Sequence, residues 1–117
     1  MDERRKSTRL DLNLPARVET ATGVHEGTII NCSVGGCFVQ VQVEEPSDEP
    51  LKLAIQLPTG NVELWGSVAY YLPTMGFGLR FTSSSGEGNR MLNRWLNYLQ
   101  TVRSSFRQGA DSQSVTS

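Results

Sequence analysis

Glu3-Arg4-Arg5-Lys6-Ser7-Thr8-Arg9-Leu10-Asp11-Leu12-Asn13-Leu14-Pro15-Ala16-Arg17-Val18 passes without a break from a basic arm into an alternation of apolar and polar residues. Leu10, Leu12, Leu14, Ala16 and Val18 fall on one face, with Asp11, Asn13, Arg17 and Glu19 on the other. That is the period of a half-buried strand. Pro15 brings no N–H to a ladder, so its place is an edge or a bulge.

The same period recurs downstream. After a turn at Thr20–Gly23, Val24–Ile30 reads as a return strand interrupted by Gly27. Cys37, Val39, Val41 and Val43 alternate with Phe38, Gln40 and Gln42, and Leu51, Leu53, Ile55 and Leu57 form another strand. Pro58-Thr59-Gly60-Asn61 supplies turn chemistry. Beyond it, Val62, Leu64, Val68 and Tyr70 are expected inside, with Glu63, Trp65, Ser67 and Tyr71 outside. Phe77, Leu79 and Phe81 then alternate with Gly76, Gly78 and Arg80. Six short strands with regularly spaced turns predict a mostly β fold, an antiparallel sheet closing into a small barrel.

The period changes after Thr82. Ser84-Ser85-Gly86-Glu87 has the spacing of a capping box. Met91, Leu92, Trp95, Leu96, Leu99, Val102 and Phe106 then recur at helical spacing, predicting one C-terminal amphipathic helix over about 87–105. Arg90, Asn93, Arg94, Asn97 and Arg103 cover much of its wet face. Residues 108–117 carry one sizeable apolar side chain, Val115, and read as a disordered tail. The expected organisation is a flexible arm over 1–9, a barrel plus helix over 10–107, and that tail.

At 117 residues the chain is the size of one domain. No run reaches the ~20 apolar residues of a membrane helix, and the charged start has no apolar stretch of a secretory signal behind it. Cytoplasmic localisation without membrane insertion is the expectation. The net charge is −1, and four of the eleven Lys and Arg residues lie between Arg4 and Arg9. Such confined charge suits one small anion better than a nucleic-acid polymer. Cys32 and Cys37 are too few for a zinc site and read as free thiols. Cys37 falls on the apolar phase of its strand, and Cys32 in a polar turn.

Two short patterns carry the chemistry. Arg5 and Arg9 stand four apart, with Arg4 directly before the first. A guanidinium fork matches a phosphate or the Hoogsteen edge of guanine bidentately, which a lysine cannot. Asn31-Cys32-Ser33-Val34-Gly35-Gly36 is a turn of short polar groups and bare backbone. Asn31 offers an amide and a carbonyl, Ser33 a hydroxyl, and Gly35 and Gly36 admit close approach to main-chain N–H groups.

Arg-x-x-x-Arg followed by Asn-x-Ser-x-x-Gly resembles the paired motifs of the PilZ family, in the same order and about twenty residues apart. Gly76-Phe77-Gly78-Leu79-Arg80-Phe81 and Trp65-Gly66-x-Val68 are similar to that family's late segments, so the likeness runs from about Glu3 to Leu99. The resemblance implies a six-stranded PilZ-type barrel with a C-terminal helix that binds cyclic di-GMP. It implies that Arg5 and Arg9 grip phosphates and guanine edges while Asn31, Ser33, Gly35 and Gly36 hold the ligand on the barrel side. An arginine at Arg4 goes, in this family, with two intercalated ligand molecules. Many members have Asp where this chain has Asn31. A single-domain receptor that signals to a separate partner protein is the function so implied, in motility, exopolysaccharide or virulence control. No further cofactor is expected.

Arg80 and Trp65 are additional ligand candidates, the latter by stacking on a base, although packing beneath the helix is the stronger expectation for Trp65. Trp95 belongs to the core, His25 to the surface, and Glu44, Glu45, Asp48 and Glu49 to a solvated loop. No nucleophile with a base, acid pair or phosphate loop is present, so no enzyme is expected. The alternative is a small barrel that binds single-stranded nucleic acid, or an interaction domain indifferent to ligand.

Overall fold

The computed structural model describes residues 9–47, 50–82 and 86–116. Its strands are β1 (Leu10–Thr20), β2 (Gly23–Cys32), β3 (Gly36–Gln40), β4 (Leu51–Leu57), β5 (Gly60–Leu72) and β6 (Gly76–Phe81). One helix follows, α1 (Glu87–Thr116). The strands close into an antiparallel barrel in the order β1-β2-β3-β6-β5-β4, with β4 paired back to β1.

Alternation builds the core directly. Leu14, Ala16 and Val18 of β1, Leu51, Leu53, Ile55 and Leu57 of β4, and Val62 and Leu64 of β5 all point inward and are buried. Leu92 and Leu96 of α1 join the same cluster, with Met91 and Trp95 packed against it. The first turn of the helix lies against β5, where Gly88 leaves no room for a Cβ beside the Glu63 carbonyl oxygen. A larger residue there would lift the helix from the barrel.

Three register shifts interrupt the ladders, and those in β2 and β5 change which side chains reach the surface, while the alternation of β1 runs through its own shift unbroken. The β1–β2 register shifts between Asp11 and Leu14. Pro15 therefore sits beside a bulge, on a strand paired to both neighbours, and the β1–β4 ladder starts one residue later at Ala16. In β5 the register shifts between Val68 and Tyr70. One extra residue flips the phase of a strand, so Tyr70 is exposed and Tyr71 turns inward, the reverse of the simple alternation. The Tyr71 hydroxyl donates to the Val43 carbonyl oxygen at 2.7 Å. The third bulge, in β2, shapes the candidate site.

The helix is longer than its apolar stripe. Periodicity reports the buried face, whereas residues 107–116 contain no proline and only one glycine, so the helical backbone meets no strong breaker there. It continues to Thr116 across the segment expected to be a disordered tail. Val102, placed on the stripe by spacing, is 40% exposed. Arg103, assigned to the wet face, donates from Nη2 to the Asp11 carbonyl oxygen at 2.8 Å. Ser84 and Ser85 of the expected capping box, and residues 1–8 of the arm, lie outside the described residues. The first helical bond described runs from Arg90 N–H to the Gly86 carbonyl oxygen at 3.0 Å.

Candidate functional site

The site forms where the start of β1, the end of β2 and the start of β3 meet. Along β2, Ile29 points inward and is fully buried. Strict alternation would send Asn31 inward as well. Instead the β2–β3 register jumps from Ile29–Val39 to Asn31–Phe38. The residue gained turns Asn31 out of the barrel and returns Cys32 to the core, where it is buried opposite Cys37. Cys32 therefore ends a strand instead of lying in the polar turn, as its sequence neighbours suggested.

Outward-facing Asn31 meets the basic arm at its root. Arg9 Nη1 donates to Asn31 Oδ1 at 2.8 Å across twenty-two residues of sequence. The two patterns expected to cooperate are thus joined side chain to side chain. Leu10 pairs with Cys32, and this register brings Arg9 alongside the turn that follows.

That turn is held from inside. Ser33 N–H donates to the Gly36 carbonyl oxygen at 2.8 Å, and the Ser33 hydroxyl lies 3.4 Å from the same oxygen. Ser33 is buried, so its hydroxyl braces the turn and is not displayed as a free donor. The Gly35 carbonyl oxygen accepts from Phe81 N–H at 2.9 Å, tying the turn to β6. Gly36 packs so closely on β6 that a Cβ would collide with the Leu79 carbonyl oxygen. Gly35 is exposed and has open space around it.

The barrel wall beside the turn carries further polar and aromatic groups. Arg80 is exposed and pairs with Gly36 on one side and Ser67 on the other. Trp65 stands two residues from Ser67 on the outer face of β5, about 7 Å along the strand at ~3.4 Å per residue. It is 47% exposed, with Lys52 Nζ 5.9 Å from its ring centroid. The stronger expectation, burial beneath the helix, is thus replaced by a place on the outer wall beside the helix start. Phe38 and Tyr70 form an outer aromatic pair, centroids 6.0 Å apart and planes at 25°. Sequence reading missed this pair as a site feature. Its signal was Phe38 itself, a large hydrophobe on the polar phase of β3.

Electrostatics under the turn favour a neutral Cys37 thiol. The hydrogen bond with Cys32 pushes the Cys37 thiol well above its ordinary range, reinforced by burial and by the charge of a Cys32 thiolate, while Arg9 pulls the other way. Cys32 Sγ also donates to the Ser33 carbonyl oxygen at 3.4 Å. Both cysteines are free. Among the described residues no group of three His, Cys, Asp or Glu could hold a metal ion.

The sequence profile of the PilZ domain matches residues 3–98. The chain belongs to the PilZ family. Comparison with curated proteins returned no match. PilZ is a family known for binding cyclic di-GMP, and its members serve as binding and adaptor domains. In this PilZ domain Arg9, Asn31, Ser33, Gly35, Gly36 and Arg80 gather at one corner of the barrel, with Trp65 farther along the same wall. Arg4 and Arg5 lie outside the described residues. No described helix is long and apolar enough to cross a membrane.

Proposed function

We propose that this PilZ domain binds cyclic di-GMP at the Arg9–Asn31–Gly36 corner and passes the signal to a separate partner protein. The observation that carries the reading is the Arg9–Asn31 hydrogen bond, which brings residues of the two motifs into one place. Arg9 would hold a phosphate or a guanine edge through its fork. Asn31 has an amide to offer for base recognition even while its oxygen accepts from Arg9. Gly35, exposed and unhindered, lets main-chain groups approach the ligand closely.

Arg4 and Arg5 would complete the grip, and Arg4 would admit a second, intercalated ligand molecule. Arg80 is placed to touch the ligand beside Gly36, and Trp65 to stack on a base farther out. Ser33 acts by shaping the turn. The role for Asn31 needs the β2 bulge, without which its side chain would face the core. A cytoplasmic setting suits two thiols that remain reduced.

Isothermal titration with cyclic di-GMP tests the proposal. Wild-type protein should bind with a stoichiometry near two. Arg9→Ala should weaken binding by ~1–3 kcal/mol, the usual worth of one bidentate contact. Its effect on urea stability should be below ~1 kcal/mol, because the side chain is exposed. Absence of heat at ligand concentrations of tens of micromolar, or equal binding by Arg9→Ala, rejects the site.

A further inference from the structure

We propose that Cys32 and Cys37 form a reversible redox pair, closing as a disulfide across the base of the Asn31–Gly36 turn and thereby altering the ligand corner. The two residues face each other in the β2–β3 ladder. Both are buried, and both are free thiols. Ser33 and Gly36, the next residues toward the turn, are joined by the 2.8 Å bond from Ser33 N–H to the Gly36 carbonyl oxygen. Cys32–Cys37 is therefore a non-hydrogen-bonded pair, the kind in which facing Cα atoms stand only ~4.5 Å apart. A disulfide spans Cα atoms ~4.4–6.8 Å apart, so the strands already hold the two residues within reach of a bridge. The Cys37 thiol also shares a hydrogen bond with Cys32, which sets the two sulfur atoms side by side.

The β2 bulge makes this pairing. Without the residue gained before Asn31, Cys32 would point outward and Asn31 inward. The register that offers Asn31 to Arg9 thus also faces one thiol with the other. Cys32 is the residue between Asn31 and Ser33. Facing Cβ atoms stand ~4.5–5.5 Å apart in a ladder but ~3.8 Å apart in a disulfide, so closure draws β2 and β3 together by about 1 Å at this point. Asn31 and Ser33 move with Cys32, and the 2.8 Å bond from Arg9 to Asn31 Oδ1 is disturbed. The hydrogen bond from Cys32 Sγ to the Ser33 carbonyl oxygen is lost as well.

The oxidant is a low-molecular-weight disulfide. One cysteine, as thiolate, attacks a sulfur of that disulfide, forming a mixed disulfide and releasing one thiolate. The other cysteine then attacks the protein sulfur of the mixed disulfide, forming the Cys32–Cys37 bond and releasing the second thiolate. Two electrons and two protons pass to the reagent, which leaves as two thiols. An added thiol runs the exchange backward and restores the pair. Access comes through the turn, where Val34 and Gly35 are exposed and Gly35 has open space around it. The Cys32 hydrogen bond and burial keep Cys37 protonated, so closure is slow near neutral pH and quickens as pH rises.

The experiment treats the whole reduced chain with cystamine, a small disulfide, at about 5 mM and about pH 8.5. Mass spectrometry should show a loss of about 2 Da, the two thiol hydrogens, in a species that stays monomeric on a non-reducing gel. The six-residue covalent loop, Cys32 to Cys37, should raise the urea midpoint by roughly 1 M. Amide shifts on closure should centre on Asn31–Phe38, and the oxidised chain should bind cyclic di-GMP at least threefold more weakly than the reduced one. Dithiothreitol should reverse every change. The proposal is overturned if the folded chain keeps both thiols overnight while the chain unfolded in urea is bridged by the same reagent. A stable cystamine adduct or a cross-linked dimer in place of the bridge overturns it too, as does closure that leaves ligand affinity unchanged. The affinity readout rests on the cyclic di-GMP reading, whereas the mass loss and the amide shifts do not. A reduced chain that binds no cyclic di-GMP therefore rejects that reading, and the thiol pair is then decided by mass and shifts alone.

Discussion

Replacing Gly36 by alanine tests whether the turn is held by backbone contact. The new Cβ would overlap the Leu79 carbonyl oxygen, with the Leu79 carbonyl carbon 3.3 Å and Arg80 Cα 3.4 Å away. All three atoms are main chain of β6, which β5 pairs on its other side. None can swing aside as a side chain would, so β3 must back away from β6. That displacement strains the Phe81–Gly35 and Ser33–Gly36 bonds, 2.9 and 2.8 Å long. At ~1 kcal/mol per backbone hydrogen bond, losing both costs about 2 kcal/mol. Residual overpacking adds ~1–3 kcal/mol. The sum, about 3–5 kcal/mol, is a large part of the ~5–15 kcal/mol that holds an ordinary domain together. With a urea slope of ~2 kcal/mol/M, the unfolding midpoint followed by tryptophan fluorescence should fall by roughly 1.5–2.5 M. Gly35→Ala is the matched control, because no heavy atom lies within 4 Å of its added Cβ. Its stability should stay within ~1 kcal/mol of wild type, with a small gain from stiffening the unfolded chain. If Gly36→Ala unfolds within ~0.5 kcal/mol of wild type, or Gly35→Ala loses as much as Gly36→Ala, the contact argument is wrong.

Gly78 lies beneath the Tyr70 ring, which an added Cβ would strike. Gly78→Ala should therefore cost ~1–3 kcal/mol in wild type, and at least ~1 kcal/mol less in a Tyr70→Ala background; strict additivity in the double-mutant cycle refutes that contact. Cys37 gives the pH prediction, its thiol value being raised chiefly by the Cys32 hydrogen bond and by burial. The folded state then holds its proton more tightly than the unfolded state, so this contribution is whole below the unfolded value, ~8.5, and is lost as pH rises through the folded one. Cys37→Ala should flatten the decline of urea stability above that pH, and an unchanged alkaline slope would count against the assignment.

Much of the barrel is legible because its inner residues obey a period of two. Leu51, Leu53, Ile55 and Leu57 are all buried, and every strand of the expected set is present. What the sequence hides are the phase changes. A bulge inserts one residue without any compositional mark, so alternation placed Tyr70 inside and Tyr71 outside. The same device at Ile30 decides that Asn31 faces Arg9, whereas Cys32 beside it, though set among turn residues, is core. Spacing brought Arg9 and Asn31 together as motifs, but only the register in space shows how they touch. Ser33 looked like a displayed hydroxyl because local composition cannot reveal that Gly36 claims it. The helix end was hidden for a related reason: an apolar stripe marks contact, and the backbone can remain helical after contact ends.

The bond from Arg103 to the Asp11 carbonyl oxygen joins residues ninety-two apart, two positions after Arg9. The last secondary-structure element is therefore pinned to the root of the first. Shortening the chain before residue 103, or pulling the helix aside through a bound partner, would remove one of the ties on the opening residues of β1, two positions from the guanidinium that meets Asn31, and leave that end of the strand to its ladder with β2 alone.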